Sequence, residues 1–148
     1  MIDLKNLTIE KAHTDLKAGV YTATELAQAY LNVITEKNSD INAYVEVYTD
    51  VLDQAKHAEE MFKNGTATML TGIPISVKDN MLVKGKESTG GSDILKGHIS
   101  IYDGTVISEL KKAGAVLLGR TNMDDSAMGS STETSCYGPT KNPRALDR

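Results

Sequence analysis

Ten residues restrict this chain more than any other stretch: Thr71-Gly72-Ile73-Pro74-Ile75-Ser76-Val77-Lys78-Asp79-Asn80. Ile73, Ile75 and Val77 alternate with Pro74, Ser76 and Lys78, the period of two that sends successive side chains to opposite faces of a sheet. The spacing predicts a strand with one apolar face and a second face shared by Ser76 and Lys78. Gly72 and Pro74 place its beginning, because proline has no amide to give a sheet ladder and is tolerated near a strand's first residue. Asp79 and Asn80 stop it. A lysine thus arrives at the carboxyl end of a strand, where two readings stand open. One is a strand-end charge that reaches water along its aliphatic stem, with Asp79 an incidental neighbour. The other is chemical: a lysine stripped of water gives up its proton more readily and serves as a base toward a hydroxyl nucleophile.

A helix is predicted to start near Asp103 or Thr105, bury Val106, Ile107 and Leu110, and stop at Gly114. Ala115 to Gly119 follows as a short, almost wholly apolar strand. Strand, connection with helix, and strand make a βαβ unit, expected to run parallel with a right-handed crossover. Its carboxyl ends then share one edge, which is where ligands of open α/β sheets sit. Lys78 and the segment beginning Arg120-Thr121-Asn122 are expected to meet there. Thr121 or Asn122 can cap a short helix with Asp124 and Asp125 in its first turn, at the positive end of the backbone dipole, and this structural role accounts for both acids. Met128-Gly129-Ser130-Ser131 is a small-residue loop, read either as a surface turn or as a place where backbone amides approach a ligand. Gly90-Gly91-Ser92 has the composition of an anion cradle but lacks the flanking strand and the full phosphate-loop pattern.

Upstream, Ile9 to Ala18 reads as a helix entered at Thr8 and ended by Gly19, with Ala12 and Leu16 inward. Thr22 and Glu25 have the spacing of a capping box, and Tyr21 and Leu26 that of a hydrophobic staple, so two devices fix the start of a second helix. Leu26, Tyr30, Val33 and Ile34 form its stripe for burial. Ile41, Ala43, Val45 and Val47 alternate as in a strand. Asp50 is placed to cap a third helix, Val51 to Lys63, with Leu52, Ala55, Ala58 and Phe62 inward and Asn64-Gly65 at its end. His13, His57 and His98 have no metal or triad spacing.

The chain has 148 residues, 40% of them hydrophobic and 24% charged, and a formal net charge of -4. The acids are scattered and no basic stripe is present, which argues against a nucleic-acid grip of its own. Cys136 is the only cysteine, which excludes an internal disulfide and the usual zinc sites and suits a reducing cytoplasm. The longest strongly apolar run, Ala115 to Leu118, is far below the roughly 20 residues that span a bilayer, so neither membrane insertion nor export is expected. A non-catalytic nucleotide-binding or interaction module is the reading from another class. Neither strand is followed by Gly-x-Gly-x-x-Gly, and no Walker lysine pattern occurs.

The segment Gly72 to Asn80 resembles the lysine segment of the amidase signature family. Thr121-Asn122-Met123-Asp124-Asp125-Ser126-Ala127-Met128-Gly129-Ser130-Ser131-Thr132-Glu133-Thr134-Ser135 resembles a second block of it. With Gly138-Pro139-Thr140-Lys141-Asn142-Pro143, the likeness points to the family's tRNA-amidotransferase branch. It runs from Ile2 onward and is densest from Thr71 to Pro143. The resemblance implies an α/β fold: amino-terminal helices plus the first strands of a mixed, largely parallel sheet, incomplete here. A single amidase domain is implied, with residues 1–66 its mainly helical segment and 67–148 the start of its α/β core. Beyond that core the family's sheet continues, so Ala115 to Gly119 is expected to present an unpaired apolar edge.

The resemblance also implies chemistry. Family members hydrolyse amides with a Ser-Ser-Lys triad: one serine attacks the carbonyl, a second, in a cis peptide bond, relays the proton, and the lysine accepts it. Lys78 matches that lysine, Met128, Gly129 and Ser130 match the substrate pocket, and no metal is involved. Both serines belong to a Gly/Ser-rich block that follows the Asn-Pro segment in the family and is absent from this sequence. Ser130, Ser131 and Ser135 match the pocket block and are not assigned as nucleophile, so the 148 residues alone are expected to be inert. In the amidotransferase branch, a protein of this kind works in a heterotrimer with subunits B and C. Glutamine passes through a glutamyl-serine ester, and ammonia travels to the former, which binds misacylated tRNA and uses ATP and magnesium. The latter, a small protein, wraps both; no cofactor is expected in this chain. Another amidase-signature hydrolase, acting on fatty-acyl amides, malonamide or aryl amides, would share Lys78.

Overall fold

The computed structural model describes residues 2–147. Its elements in chain order are α1 (Ile9–Ala18), α2 (Ala23–Ile41), β1 (Tyr44–Val47), α3 (Val51–Lys63), β2 (Pro74–Lys78), α4 (Thr105–Lys112) and β3 (Val116–Thr121), with 3-10 turns at Asp93–Leu95 and Asp125–Ala127.

Local chemistry fixes the helix ends. The Thr8 hydroxyl accepts the Lys11 amide at 3.2 Å, and Gly19, at φ 69°, closes α1 by donating its amide to the carbonyls of Asp15 and Leu16. The capping box of α2 is reciprocal: the Thr22 amide donates to Glu25 Oε2 at 2.7 Å, and the Glu25 amide donates to Thr22 Oγ1 at 3.0 Å. Burial on α2 differs from the expected stripe. Ala23, Leu26 and Ala27 are fully covered, whereas Val33 is 40% exposed. Ala23 lies close to Gly72, where a Cβ would stand 3.1 Å from both Ala23 Cβ and Leu16 Cδ1. The third helix keeps its expected bounds and buries Val51, Ala55 and Ala58, but Asp50 makes no side-chain cap hydrogen bond. On α4, Ile107 is inside while Val106, expected to be buried beside it, is 59% exposed.

The strand expected from Ile41 is shorter. Helix α2 runs on through Ile41, and Asn42 reverses the chain at φ 56°. Asn38 then clamps β1 from both sides, donating from Nδ2 to the Tyr44 carbonyl at 2.8 Å and accepting the Tyr44 amide at 2.7 Å.

The sheet order is β1-β3-β2. Strand β1 lies antiparallel to β3, with Tyr44 opposite Thr121, Glu46 opposite Arg120 and Val47 opposite Gly119. The Val116 amide donates to Ile73 at 2.9 Å and the Asp79 amide to Thr121 at 3.1 Å. Early residues of β2 therefore meet early residues of β3, so these two strands run parallel and the sheet is mixed. The apolar strand is thus the centre of this sheet, not its edge. Gly119 is what lets β1 come so close, since a Cβ there would collide with the Glu46 carbonyl.

The chain forms two compact units. One comprises the chain up to Val33, Tyr48–Ile75 and Glu109–Leu118; the other comprises Ile34–Val47, Ser76–Ser108 and the chain from Gly119 onward. The first is apolar inside, with Leu16, Leu26, Val51, Ile73, Val116 and Leu117 covered. Each such side chain contributes about 1.5–3 kcal/mol by leaving water. Among the described residues the second covers Val77, Val83, Ile107 and Met123 of its large apolar side chains, beside Asp79, Ser88, Thr89, Ser92, Ser100, Arg120, Asp124 and Ser135. Among the described residues, no helix is long and apolar enough to cross a membrane.

Candidate active site

Lys78 is the last residue of β2. The alternation of that strand gives its covered face to Val77, and Asp79 just beyond the strand continues that face; Ser76 and Lys78 take the open one. The expectation that Lys78 is shed of water does not hold in this chain, where its side chain is exposed and makes no hydrogen bond or ion pair with any described residue. On the same face the Ser76 hydroxyl is hydrogen-bonded to the Tyr44 hydroxyl.

The next residue is the opposite case. Asp79 is 1% exposed, and every polar atom it has is engaged. Its carboxylate accepts from Arg120 Nη1 at 2.7 Å, from the Thr89 amide at 3.0 Å, from the Gly91 amide at 2.9 Å and from the Thr89 hydroxyl. Its carbonyl accepts from Ser88 Oγ at 2.7 Å and from the Gly90 amide at 3.2 Å. Burial alone would push this carboxyl's pKa up. The hydrogen bonds from Thr89 and Arg120, with the amides of Thr89 and Gly91, outweigh it and hold the group below the ordinary carboxylate range.

The amides that cradle the Asp79 carboxylate are those of Thr89 and Gly91, so of Gly90-Gly91-Ser92 only Gly91 holds an anion, and that anion is a side chain of the same protein. Gly91 has to be glycine: its φ is +73°, and a Cβ there would lie 2.6 Å from the Met123 carbonyl.

Arg120, the fifth residue of β3, is the counter-ion. Besides Asp79, its guanidinium donates to Glu46 at 3.0 Å, to Glu87 and to the Tyr137 hydroxyl at 3.2 Å. The Tyr137 ring lies against it, 5.5 Å from Cζ to centroid. Burial opposes the charge, but Asp79, Tyr137 and Glu46 keep the guanidinium's pKa above its already high ordinary value. A buried arginine with a multiply bonded carboxylate is a geometry in which attraction offsets the cost of leaving water.

A second buried carboxylate organises the pocket block. Asp124 was expected in the first turn of a helix capped by Thr121 or Asn122. It instead precedes the turn, makes no cap bond to it, and accepts from the amides of Ser131 at 3.1 Å and Thr132 at 2.9 Å and from Thr134 Oγ1 at 2.9 Å. The Thr132 amide is the largest of the influences that hold its pKa low. The turn is too short and too distorted to offer a dipole, with Ser126 at φ 54°, so the downstream amides take the carboxylate. Gly129 passes directly over that carboxylate, where any Cβ would collide with it. Asn122 bridges strand end and tail, donating to the Gly138 carbonyl at 2.7 Å and to Thr140 Oγ1 at 3.1 Å.

Met128, Gly129 and Ser130 are exposed. No hydrogen bond joins them to Lys78 among the described residues. Both stretches are instead tied to the same glycines, since the Gly90 carbonyl accepts the Ser126 amide at 2.8 Å and the Gly91 carbonyl accepts the Cys136 amide at 2.9 Å. No group of three His, Cys, Asp or Glu side chains capable of holding a metal ion occurs among the described residues. Sequence reasoning missed Arg120, Thr89 and Tyr137. The usable signal was an arginine inside a run of buried β3 residues, which demands a carboxylate, together with Asp79 at the matching end of the parallel neighbour.

Comparison with known proteins gives the family. The Amidase family model matches residues 25–148. Over 144 residues the chain is 46% identical to the glutamyl-tRNA(Gln) amidotransferase A subunit of Borrelia garinii subsp. bavariensis, a match that covers 96% of this chain and 30% of that protein. Among solved structures, the peptide amidase of Stenotrophomonas maltophilia is similar at a TM-score of 0.88 and 27% identity, covering 97% of this chain and 31% of that one. The glutamyl-tRNA(Gln) amidotransferase A subunit of Thermotoga maritima is similar at a TM-score of 0.77 and 33% identity, covering 100% and 30%. The chain thus spans about a third or less of the length of these relatives. With its family model matched from the second helix to the last residue, on an α/β framework shared with solved amidases, this chain belongs to the amidase family.

Proposed function

We propose that this chain is the lysine-bearing part of a glutamine-hydrolysing amidase, the amidase component of a glutamyl-tRNA(Gln) amidotransferase, whose ammonia converts Glu-tRNA(Gln) to Gln-tRNA(Gln). The observation that carries the reading is the end of β2, where a lysine side chain without a hydrogen bond or ion pair to any described residue stands on a backbone held on both sides. Identity of 46% to a protein of that name supports the substrate. Lys78 takes the proton of a serine hydroxyl by way of a second serine as the oxygen attacks the amide carbon. It returns the proton to the nitrogen as the C–N bond breaks and ammonia leaves, and water then cleaves the ester. Met128, Gly129 and Ser130 line the acyl pocket. The protein works in the cytoplasm beside subunits B and C. Misacylated tRNA, ATP and magnesium are handled mainly by the first of these.

The two serines of this mechanism lie outside these 148 residues, so the polypeptide by itself turns over no glutamine. The test joins the whole chain to the part of the Borrelia garinii relative that its match leaves uncovered. Glutamine hydrolysis is then measured for the chain, for the joined enzyme and for its Lys78→Ala variant. The expected pattern is none, clear turnover, and a loss of at least about 10³-fold. Turnover by the chain alone, or an active Lys78→Ala variant, overturns the proposal. A second reading, hydrolysis of peptide amides, is favoured by the higher TM-score of the peptide amidase. The same joined enzyme decides it if a carboxy-terminal peptide amide is cleaved faster than glutamine.

A further inference from the structure

A lysine amine at the end of four rotatable bonds takes its aim from where its own backbone is held. Among the described residues no side chain hydrogen-bonds or pairs with that of Lys78, so its aim rests on the backbone. Its own carbonyl accepts the Met81 amide at 2.9 Å. On one side, the Val77 carbonyl accepts Thr121 Oγ1 at 3.3 Å. On the other stands Asp79, with its amide, its carbonyl and both carboxylate oxygens engaged. A carboxylate with four donors already on it has no lone pair directed at a reacting proton, which leaves it a positional task. Any slackening of Asp79 reaches Lys78 through a single peptide unit.

We propose that Asp79 is the positioning residue for Lys78, and that the Arg120 guanidinium, with the Thr89 hydroxyl and the Gly91 amide, holds Asp79 to that task. The inference rests on the reading of Lys78 as the base. Charge alone does not require this arrangement, because Arg120 already has Glu46 and Glu87. A third carboxylate, the one next in sequence to the lysine, is drawn in as well and is the most deeply covered of the three.

The test uses the joined enzyme that carries the whole chain. Asp79→Asn keeps the size of the side chain and removes its charge. Misplacing a reacting group by about 1 Å costs on the order of 10²-fold, so kcat for glutamine is expected to fall by about that factor. KM stays within about threefold and the pH–rate profile keeps its shape, because substrate binding and the base itself are unchanged. Arg120→Ala lowers kcat alike, and the double variant falls no further than the worse single one, as members of one unit do. Thr89→Val removes one donor and leaves both charges. It is expected to lower kcat severalfold and, in the 148-residue chain, to speed amide exchange from Lys78 to Met81 but not at Leu26 or Ala55. This variant decides the matter if Asp79→Asn does not fold. Folded variants with kcat within about threefold of the parent, or KM rising in step with a falling kcat, overturn the inference. An inactive Lys78→Ala beside a fully active Asp79→Asn sinks it alone; an active Lys78→Ala sinks it together with the base reading.

Discussion

Different physics holds each of the two units of this chain together. The first, with α1 and α3 and the early residues of β2 and β3, buries Leu26, Val51, Ala55 and Leu117 and, among the described residues, two polar or charged side chains, Asp15 and Thr71. The second folds around charge: Asp79 sits in donors from Arg120, Thr89 and Gly91, and Asp124 sits in those of Ser131, Thr132 and Thr134. An apolar core tolerates exchange of one side chain for another of similar volume. A carboxylate nest does not, because its donors and acceptor are matched in number and direction. The unit that carries the candidate site is built in the less forgiving way, as a site whose backbone must not drift requires.

The sharpest way to break this contrast is to remove Arg120. Arg120→Ala leaves Asp79 buried without its counter-ion and is expected to cost about 3–5 kcal/mol, measured as the shift in urea unfolding of the 148-residue chain. Replacing both members by apolar residues of like volume, Asp79→Leu with Arg120→Met, is expected to restore much of that stability, while the joined enzyme that carries both changes loses glutamine turnover. In the first unit, Leu26→Ala is expected to cost about 2–4 kcal/mol, by cavity formation alone and without pH dependence. If the two losses responded identically to pH, the division into charge-held and apolar units would be wrong.

Acid separates the units more gently. Because the Asp79 pKa is lower in the folded state than the ordinary value of about 3.9, its contribution is fully present above about pH 4. It is lost as pH falls through the depressed folded value. Amide exchange at Thr89 and Gly91 is therefore expected to quicken on acidification before exchange at Leu26 and Ala55 does. The smallest effect belongs to the local devices: Thr22→Ala removes one half of the α2 capping box and is expected to lower stability by about 1 kcal/mol, read by thermal unfolding.

The same contrast explains what could be read from sequence. Thr8, Gly19, Thr22 with Glu25, and the alternation through Val77 act on near neighbours, and the elements they announce appear with bounds close to those expected. Val33 and Val106 failed because periodicity tells which residues share a face but not how far along a helix that face stays covered. Strand β1 supplied the missing partner of β3 from 74 positions upstream, Glu46 against Arg120. No window of a few residues holds that pairing. For the candidate site, the strand that ends at Lys78 was legible, but the burial of Asp79 and Asp124 was not. Each was assigned a local task, stopping a strand or facing a helix dipole. Their actual donors come from Arg120 on β3 and from loops with no repeat to betray them.

The span between Asp79 and Arg120 also sets an order of events. When this polypeptide leaves the ribosome, Asp79 emerges 41 residues ahead of its guanidinium, and Glu46 waits 74. Until β3 has been made, these carboxylates have only water and nearby amides to satisfy them, so the strand end beneath Lys78 is assembled late. Translation that stalls before Arg120 consequently releases a chain in which the Asp79 carboxylate has no guanidinium.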